Sequence, residues 1–276
     1  MKGVTESMAG RAAIFTLLPL SSAETPKVSL FMGGFPEVLA QPRAANIWYR
    51  SYVQTYLERD VRNISGIRDL ATFRRFLALV ASRCGQILNR TDFATALGLS
   101  VPTISQWLSI LEMTAQIHLI PPFYENLGKR LIKSPKLYFV DSGLLCHLLG
   151  IDSAKTLNRS PFLGPIFEGF VASELIKQQI NSGKQRALYY FRDQQGLEVD
   201  FLVPAGSKNL FLVEVKSSRT ATPQMAAPLD RLSNALRSYN VQKILIHRPL
   251  EKGPHMTTIR PGIKAVSLRD GLKIIA

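Results

Sequence analysis

Two short runs, EVDFLV at residues 198–203 and FLVEVKSS at residues 211–218, constrain this chain most. Each alternates at a period of two, as a β-strand with two distinct faces does. In the first run Val199, Phe201 and Val203 share one face, and Glu198, Asp200 and Leu202 the other. In the second, Phe211, Val213 and Val215 share a face, and Leu212, Glu214 and Lys216 take the opposite one. The link PAGSKN suits a hairpin turn, so the strands are expected to be neighbours. Asp200 then sits beside Glu214, with Lys216 two residues along the same face. A helix over GPIFEGFVASELIKQQINS and a strand over ALYYFRD come first. A helix over PQMAAPLDRLSNALRSY and a strand over VQKILIHR follow, with a last short strand expected near KAVSL. The order α-β-β-β-α-β predicts an α/β sandwich with a mixed sheet over residues 151–276.

Two carboxylates on neighbouring strands repel each other unless a cation or a proton intervenes. Glu168, on the preceding helix, lies three and seven residues before Val171 and Leu175, at the edge of the apolar stripe. Glu168, Asp200 and Glu214 are therefore candidate metal ligands, and their oxygen-only chemistry suits Mg²⁺. A bound metal can polarise a phosphate oxygen and help to generate hydroxide. Lys216 could orient the water or stabilise developing charge. The four residues form a candidate phosphodiesterase site of nuclease type. The competing reading is a surface hairpin with solvated charges and a simple Glu–Lys pair.

Upstream, residues 46–82 read as helical, with Asn46 as a cap and a second helix starting near Asp69 and stopping at Gly85. NRTDFATALGLS predicts a short helix capped by Thr91 and stopped by Gly98. SVPTISQWLSILEMT predicts another, with Ser100 as cap and Pro102 in its first turn. Two short helices joined by a Gly-containing turn suit a helix-turn-helix. QIHLIPPF and KLYFVD can then pair as the wing of a winged helix. The tip of that wing is expected to carry Lys129, Arg130, Lys133 and Lys136, and the second helix offers Thr103, Ser105 and Gln106. Such side chains reach phosphates or base edges. Winged helices also serve as protein-interaction modules, and the apolar Trp107, Leu108, Ile110 and Leu111 suit either use. GIDSAKTLNRSP reads as a loop near the boundary between the two regions, and residues 1–45 are too short to bury a core alone.

The 34 Lys and Arg against 20 Asp and Glu give a formal charge of +14, which favours a polyanionic partner, nucleic acid in the first instance. Two cysteines and four histidines without ligand spacing make a zinc site unexpected and a disulfide framework impossible. The cysteines read as reduced thiols of a cytoplasmic protein. No run reaches the roughly 18 apolar residues of a membrane span. The opening AAIFTLLPLSSAE can be read as a signal peptide, but Thr16 and Pro19 interrupt it, and a strand ending in a turn explains it as well. No GxxxxGK[ST] occurs, so no ATP site is expected in this chain; LYFVDSG suits a strand ending at Asp141.

AGRAAIFTLLPLSSAE, GGFPEVL, WYRSYVQTYLERDV, GKRLIKSPKLYFVDSGLL, GPIFEGFVASEL and GLEVDFLV with LVEVKSS follow one another in order. In these motifs the chain resembles the prokaryotic AAA-superfamily ATPases of the AAA_14 type whose C-terminal part is known as DUF4143. The resemblance implies a P-loop ATPase domain, then a winged helix, then a region similar to PD-(D/E)XK nucleases. It makes residues 1–45 the end of the ATPase domain and a linker, 46–150 the helical and winged-helix region, and 151–276 the nuclease-like domain. The chain then resembles a truncated member lacking the P-loop, without ATP hydrolysis of its own. The nuclease signature falls on Asp200, Glu214 and Lys216, with Glu168 as the helix acid. DNA is the implied partner, a protein partner or an oligomer a further one, and a non-catalytic binding or regulatory module the implied alternative to a Mg²⁺-dependent nuclease.

Overall fold

The structure, a computed structural model, describes residue 11 and residues 15–56, 69–123, 133–250 and 256–276. After an extended stretch come α1 (Pro36–Ala40) and α2 (Ala45–Thr55), then α3 (Leu70–Ser82), α4 (Arg90–Leu97) and α5 (Val101–Met113). Strands β1 (Ile117–Ile120) and β2 (Lys136–Phe139) pair antiparallel, Ile117 opposite Phe139. Gly85 and Leu88 donate to the Leu137 and Pro135 carbonyls, and an Ile87–Lys136 bridge brings this segment alongside β2. The helix ends follow their capping chemistry. Asp69 accepts from the Thr72 N–H and Ser100 from the Thr103 N–H, while Gly98 ends α4 in the left-handed region at φ 66°. Two caps differ from expectation. Asn89, not Thr91, caps α4, because its carboxamide accepts from the Thr91 N–H. Asn46 lies inside α2, whose start follows the 3₁₀ turn Pro42–Ala44.

The remaining elements are α6 (Ser142–Leu148), α7 (Ala154–Arg159), α8 (Leu163–Asn181), β3 (Tyr189–Arg192), β4 (Glu198–Pro204), β5 (Asn209–Lys216), α9 (Ala227–Ala235), β6 (Asn240–His247), β7 (Met256–Arg260), β8 (Ile263–Ser267) and α10 (Leu268–Ile275). The expected α-β-β-β-α-β order is present, with α10 and an edge strand β7 added. The stretch read as a loop near 151–160 contains α7, which Ser153 caps by accepting from the Thr156 N–H. The six-stranded mixed sheet has the order β3-β4-β5-β6-β8-β7. Strand β4 pairs antiparallel with β3 and with β5, β6 pairs parallel with β5 and with β8, and β7 pairs antiparallel with β8. Phe201, Val203, Val213, Val215 and Ile244 pack with α8 and α10 on one face; Val199, Leu202, Leu212 and Leu245 pack with α9 on the other. The first of these clusters runs without a break into the N-terminal half, through Ile166, Leu137, Trp107 and Phe73. Pro122 also bridges Tyr190, so the hairpin and the six-stranded sheet share an edge. Among the described residues no single helix is long and apolar enough to cross a membrane.

Asp141 does not end a strand. It caps α6, accepting from the Leu144 N–H at 2.8 Å, and reaches back to the Gly34 N–H at 2.7 Å and the Tyr49 hydroxyl at 3.0 Å. Both glycines of this loop are confined: a Cβ on Gly33 would collide with the Asp141 carboxylate, and one on Gly34 with the Leu20 carbonyl oxygen. Asp141→Ala leaves the Gly34 and Leu144 N–H groups without this acceptor, while the Tyr49 hydroxyl keeps the Met32 carbonyl. The expected loss is about 3 kcal/mol or more in urea unfolding, with faster proteolysis in residues 15–34.

His118, on β1, is buried, and its Nε2 has no hydrogen-bond partner. Burial, then the charges of Arg186 and Lys177, push the imidazole down to about 3 from an ordinary 6.5. Between those values the unfolded chain binds the proton that the folded chain refuses, so stability is lost as pH falls through this window. Relative to His118→Phe, the native chain is expected to lose about 1.4 kcal/mol per pH unit below pH ~6.5, flattening near pH ~3. Denaturant midpoints of both proteins across that range check it.

Candidate functional site

Strict alternation fails in β4, and that failure shapes the site. Tyr189 pairs with Leu202 but Phe191 with Val199, so β4 carries one extra residue over this interval. A β-bulge of this kind re-aims the side chains beside it. Val199 and Leu202 both pack on the α9 face, which unbroken alternation forbids. The expected grouping of Asp200 with Leu202 is therefore corrected. The Asp200 carboxylate turns to the Val215 N–H, which donates to Oδ2 at 2.8 Å, and to Lys136 Nζ, 3.9 Å from Oδ1.

Lys136 is the second correction. The sequence pattern places it at an exposed wing tip; instead it is 3% exposed, on a strand whose four residues are all buried. Its ammonium lies 3.1 Å from Glu168 Oε1, pairs closely with Glu198, and sits 5.6 Å from the centre of the Tyr190 ring. Tyr138, two residues along the same strand, donates its hydroxyl to the same Glu168 oxygen. Arg192 reaches the other oxygen of Glu198 at 3.2 Å. A lysine so enclosed cannot contact a nucleic acid without unpairing these acids.

Glu214 is 4% exposed and takes Lys216 Nζ at 2.6 Å; its Oε2 is buried without a partner. Burial, then the charges of Glu168 and Glu214, hold Asp200 well above the usual carboxylate range. Glu214 is raised by burial, with Lys216 opposing. Burial would lower Lys136, but the charges of Glu168, Asp200 and Glu198 outweigh it and keep the ammonium charged. Four carboxylates thus meet three cations, so the acids outnumber the cations in this cluster.

All four sequence-predicted acid and lysine positions lie in this neighbourhood. Glu198, Tyr138, Arg192 and Lys136 are its unexpected members. As a metal centre the arrangement does not fit: among the described residues no three His, Cys, Asp or Glu side chains are grouped to hold an ion. The Glu168 and Asp200 oxygens are turned to an ammonium and to backbone instead.

The other predicted contacts scatter. Thr103 is part-buried and its hydroxyl pairs with that of the Ser100 cap at 2.8 Å. Gln106 is exposed and Ser105 half-buried on α5, a helix with no Lys or Arg. Lys133 is exposed, and Lys129 and Arg130 lie outside the described residues.

Residues 24–155 match a family described as a domain of unknown function, DUF8612, and residues 163–266 match another, DUF4143. The first match ends within α7, and the second begins with α8. The chain is 30% identical over 268 residues to "Uncharacterized protein Rv2008c" of Mycobacterium tuberculosis and to "Uncharacterized protein Mb2031c" of Mycobacterium bovis. The alignment covers 95% of this chain and 58% of each relative, so the chain spans little more than half the length of the curated relatives it matches. A DUF4143 region preceded by a DUF8612 domain is what this chain carries.

Proposed function

We propose that the chain is a non-catalytic, nucleic-acid-binding module, built from a winged-helix part and a PD-(D/E)XK-like α/β part, with DNA as its partner. The observation that carries this reading is the gathering of Glu168, Asp200, Glu214 and Lys216 around β4 and β5 in an α-β-β-β-α-β frame, with Lys136 among the acids. The frame and residue types are those of a phosphodiester-handling site; the ion pairs argue for binding without cutting. The order α3, Ile87 bridge, α4, α5, β1, β2 supports a winged helix upstream. The charge of +14 supports a polyanion as partner. Because α5 lacks cations, phosphate binding falls to the segment around Lys129, Arg130 and Lys133.

The motif order supports a link to the AAA-superfamily proteins. The chain is not expected to hydrolyse ATP by itself, as it holds no phosphate-binding loop. DNA affinity is expected to fall steeply with salt. Lys129→Ala/Arg130→Ala/Lys133→Ala should make the log–log slope shallower by about 1 for each phosphate no longer neutralised. Fluorescence anisotropy with a duplex checks this; salt-insensitive binding, or an unaltered slope, sinks the DNA reading. Mg²⁺- or Mn²⁺-dependent cleavage that disappears in Asp200→Ala and Glu214→Ala favours a nuclease instead.

A further inference from the structure

The two lysines of the acidic cluster differ in kind. Lys216 has a side chain 37% exposed and pairs with Glu214 two residues away on its own strand. Lys136 is brought in from a different sheet and faces acids from two elements, Glu168 on α8 and Glu198 and Asp200 on β4. An ammonium offers three donors and no acceptor, and three carboxylates surround this one. Its strand is held by β1 on one side and by the Gln86 carbonyl, which accepts from Leu137, on the other. The backbone that carries this side chain is therefore fixed on both sides.

We propose that the Lys136 ammonium is the resident cation of this cluster, standing where a metal-dependent phosphodiesterase holds a divalent ion, so that the cluster assembles without metal. The inference rests on the nuclease-like reading above and gives the reason why that site binds without cutting. A divalent ion entering beside Lys136 would meet like charge at close range. Most of the acids' oxygens are already engaged, Glu168 Oε1 by Lys136 and Tyr138, Glu198 by Lys136 and Arg192, and Asp200 Oδ2 by the Val215 N–H, with the buried Glu214 Oε2 the exception. Replacing Lys136 by an uncharged side chain takes the shared cation from the buried Asp200 and the half-buried Glu168 and Glu198, and a divalent ion becomes the cation able to restore it.

The test compares thermal unfolding midpoints of the full chain, Lys136→Met and Lys136→Met/Asp200→Asn, each in chelator and in millimolar MnCl₂. The wild-type midpoint is expected not to move with Mn²⁺. Lys136→Met should fall by about 10 °C in chelator and recover in Mn²⁺. The double variant, with one acid neutralised, should regain much of that fall in chelator and ignore Mn²⁺. A wild-type midpoint that rises with Mn²⁺ overturns the proposal. So does a single variant that is as stable as wild type, or one that Mn²⁺ fails to restore. If the single variant yields no soluble protein, the double variant decides: folding supports the resident cation, and failure to fold overturns it. DNA retention measured on the same wild-type preparation separates the two ideas. An Mn²⁺ response with retention intact overturns the resident cation alone; absent retention without an Mn²⁺ response overturns only the binding function.

Discussion

Helix α8 is buried along most of its length and yet carries Glu168, Ser173, Glu174 and Lys177. A buried helix tolerates such residues only if each finds a partner, because an unpaired charge in the interior costs several kcal/mol. Each one does, and the partners come from the hairpin, from the residue after it and from the N-terminal segment. Glu168 takes Lys136 and Tyr138 from the hairpin. Ser173 donates to the Val140 carbonyl at 2.6 Å. Glu174 accepts from both the N–H and the hydroxyl of Ser22, and from Lys177, which also donates to the Leu20 carbonyl. The need to satisfy one helix therefore ties the N-terminal segment and the hairpin to it.

This requirement also explains how the two halves can carry separate family descriptions and yet share a core. Apolar packing supplies most of the attraction between them, at about 25 cal/mol for each Å² removed from water. Apolar packing is poorly directional. The polar pairs supply the direction: Asp141 fixes the glycine loop at residues 33–34, and Lys136 fixes the hairpin against α8 and β4. Packing and polar pairing thus converge on one arrangement, as expected where local and global preferences agree.

Much of the fold was legible in the sequence because local rules decided it. Period-two alternation marked β4 and β5, and Ser100, Asp69 and Gly98 marked helix ends through capping chemistry that acts within four residues. Where two capping residues stood close together, as at Asn89 and Thr91, spacing alone did not choose between them. The helix at 154–159 was hidden by its polarity, since only Leu157 among its residues is buried. The candidate acids were visible because charge on an apolar strand is conspicuous. The bulge in β4 was not, because one extra residue leaves no mark on a pattern read without its partner strand. Lys136 was invisible for a related reason: it begins an apolar strand beside a basic loop, and only a helix more than thirty positions later reveals that it is enclosed.

The Ser22–Glu174 pair joins residues 152 positions apart, and the Gly34–Asp141 pair spans 107. During synthesis the segment at residues 20–34 emerges well before the helix that receives it. It must stay unlatched, with Leu20, Val28 and Leu39 still short of their contact with Phe170, until α8 has been made and packed. The early part of the chain is thus the late part of the fold. Its locking reports that hairpin, helix and sheet have already come together correctly.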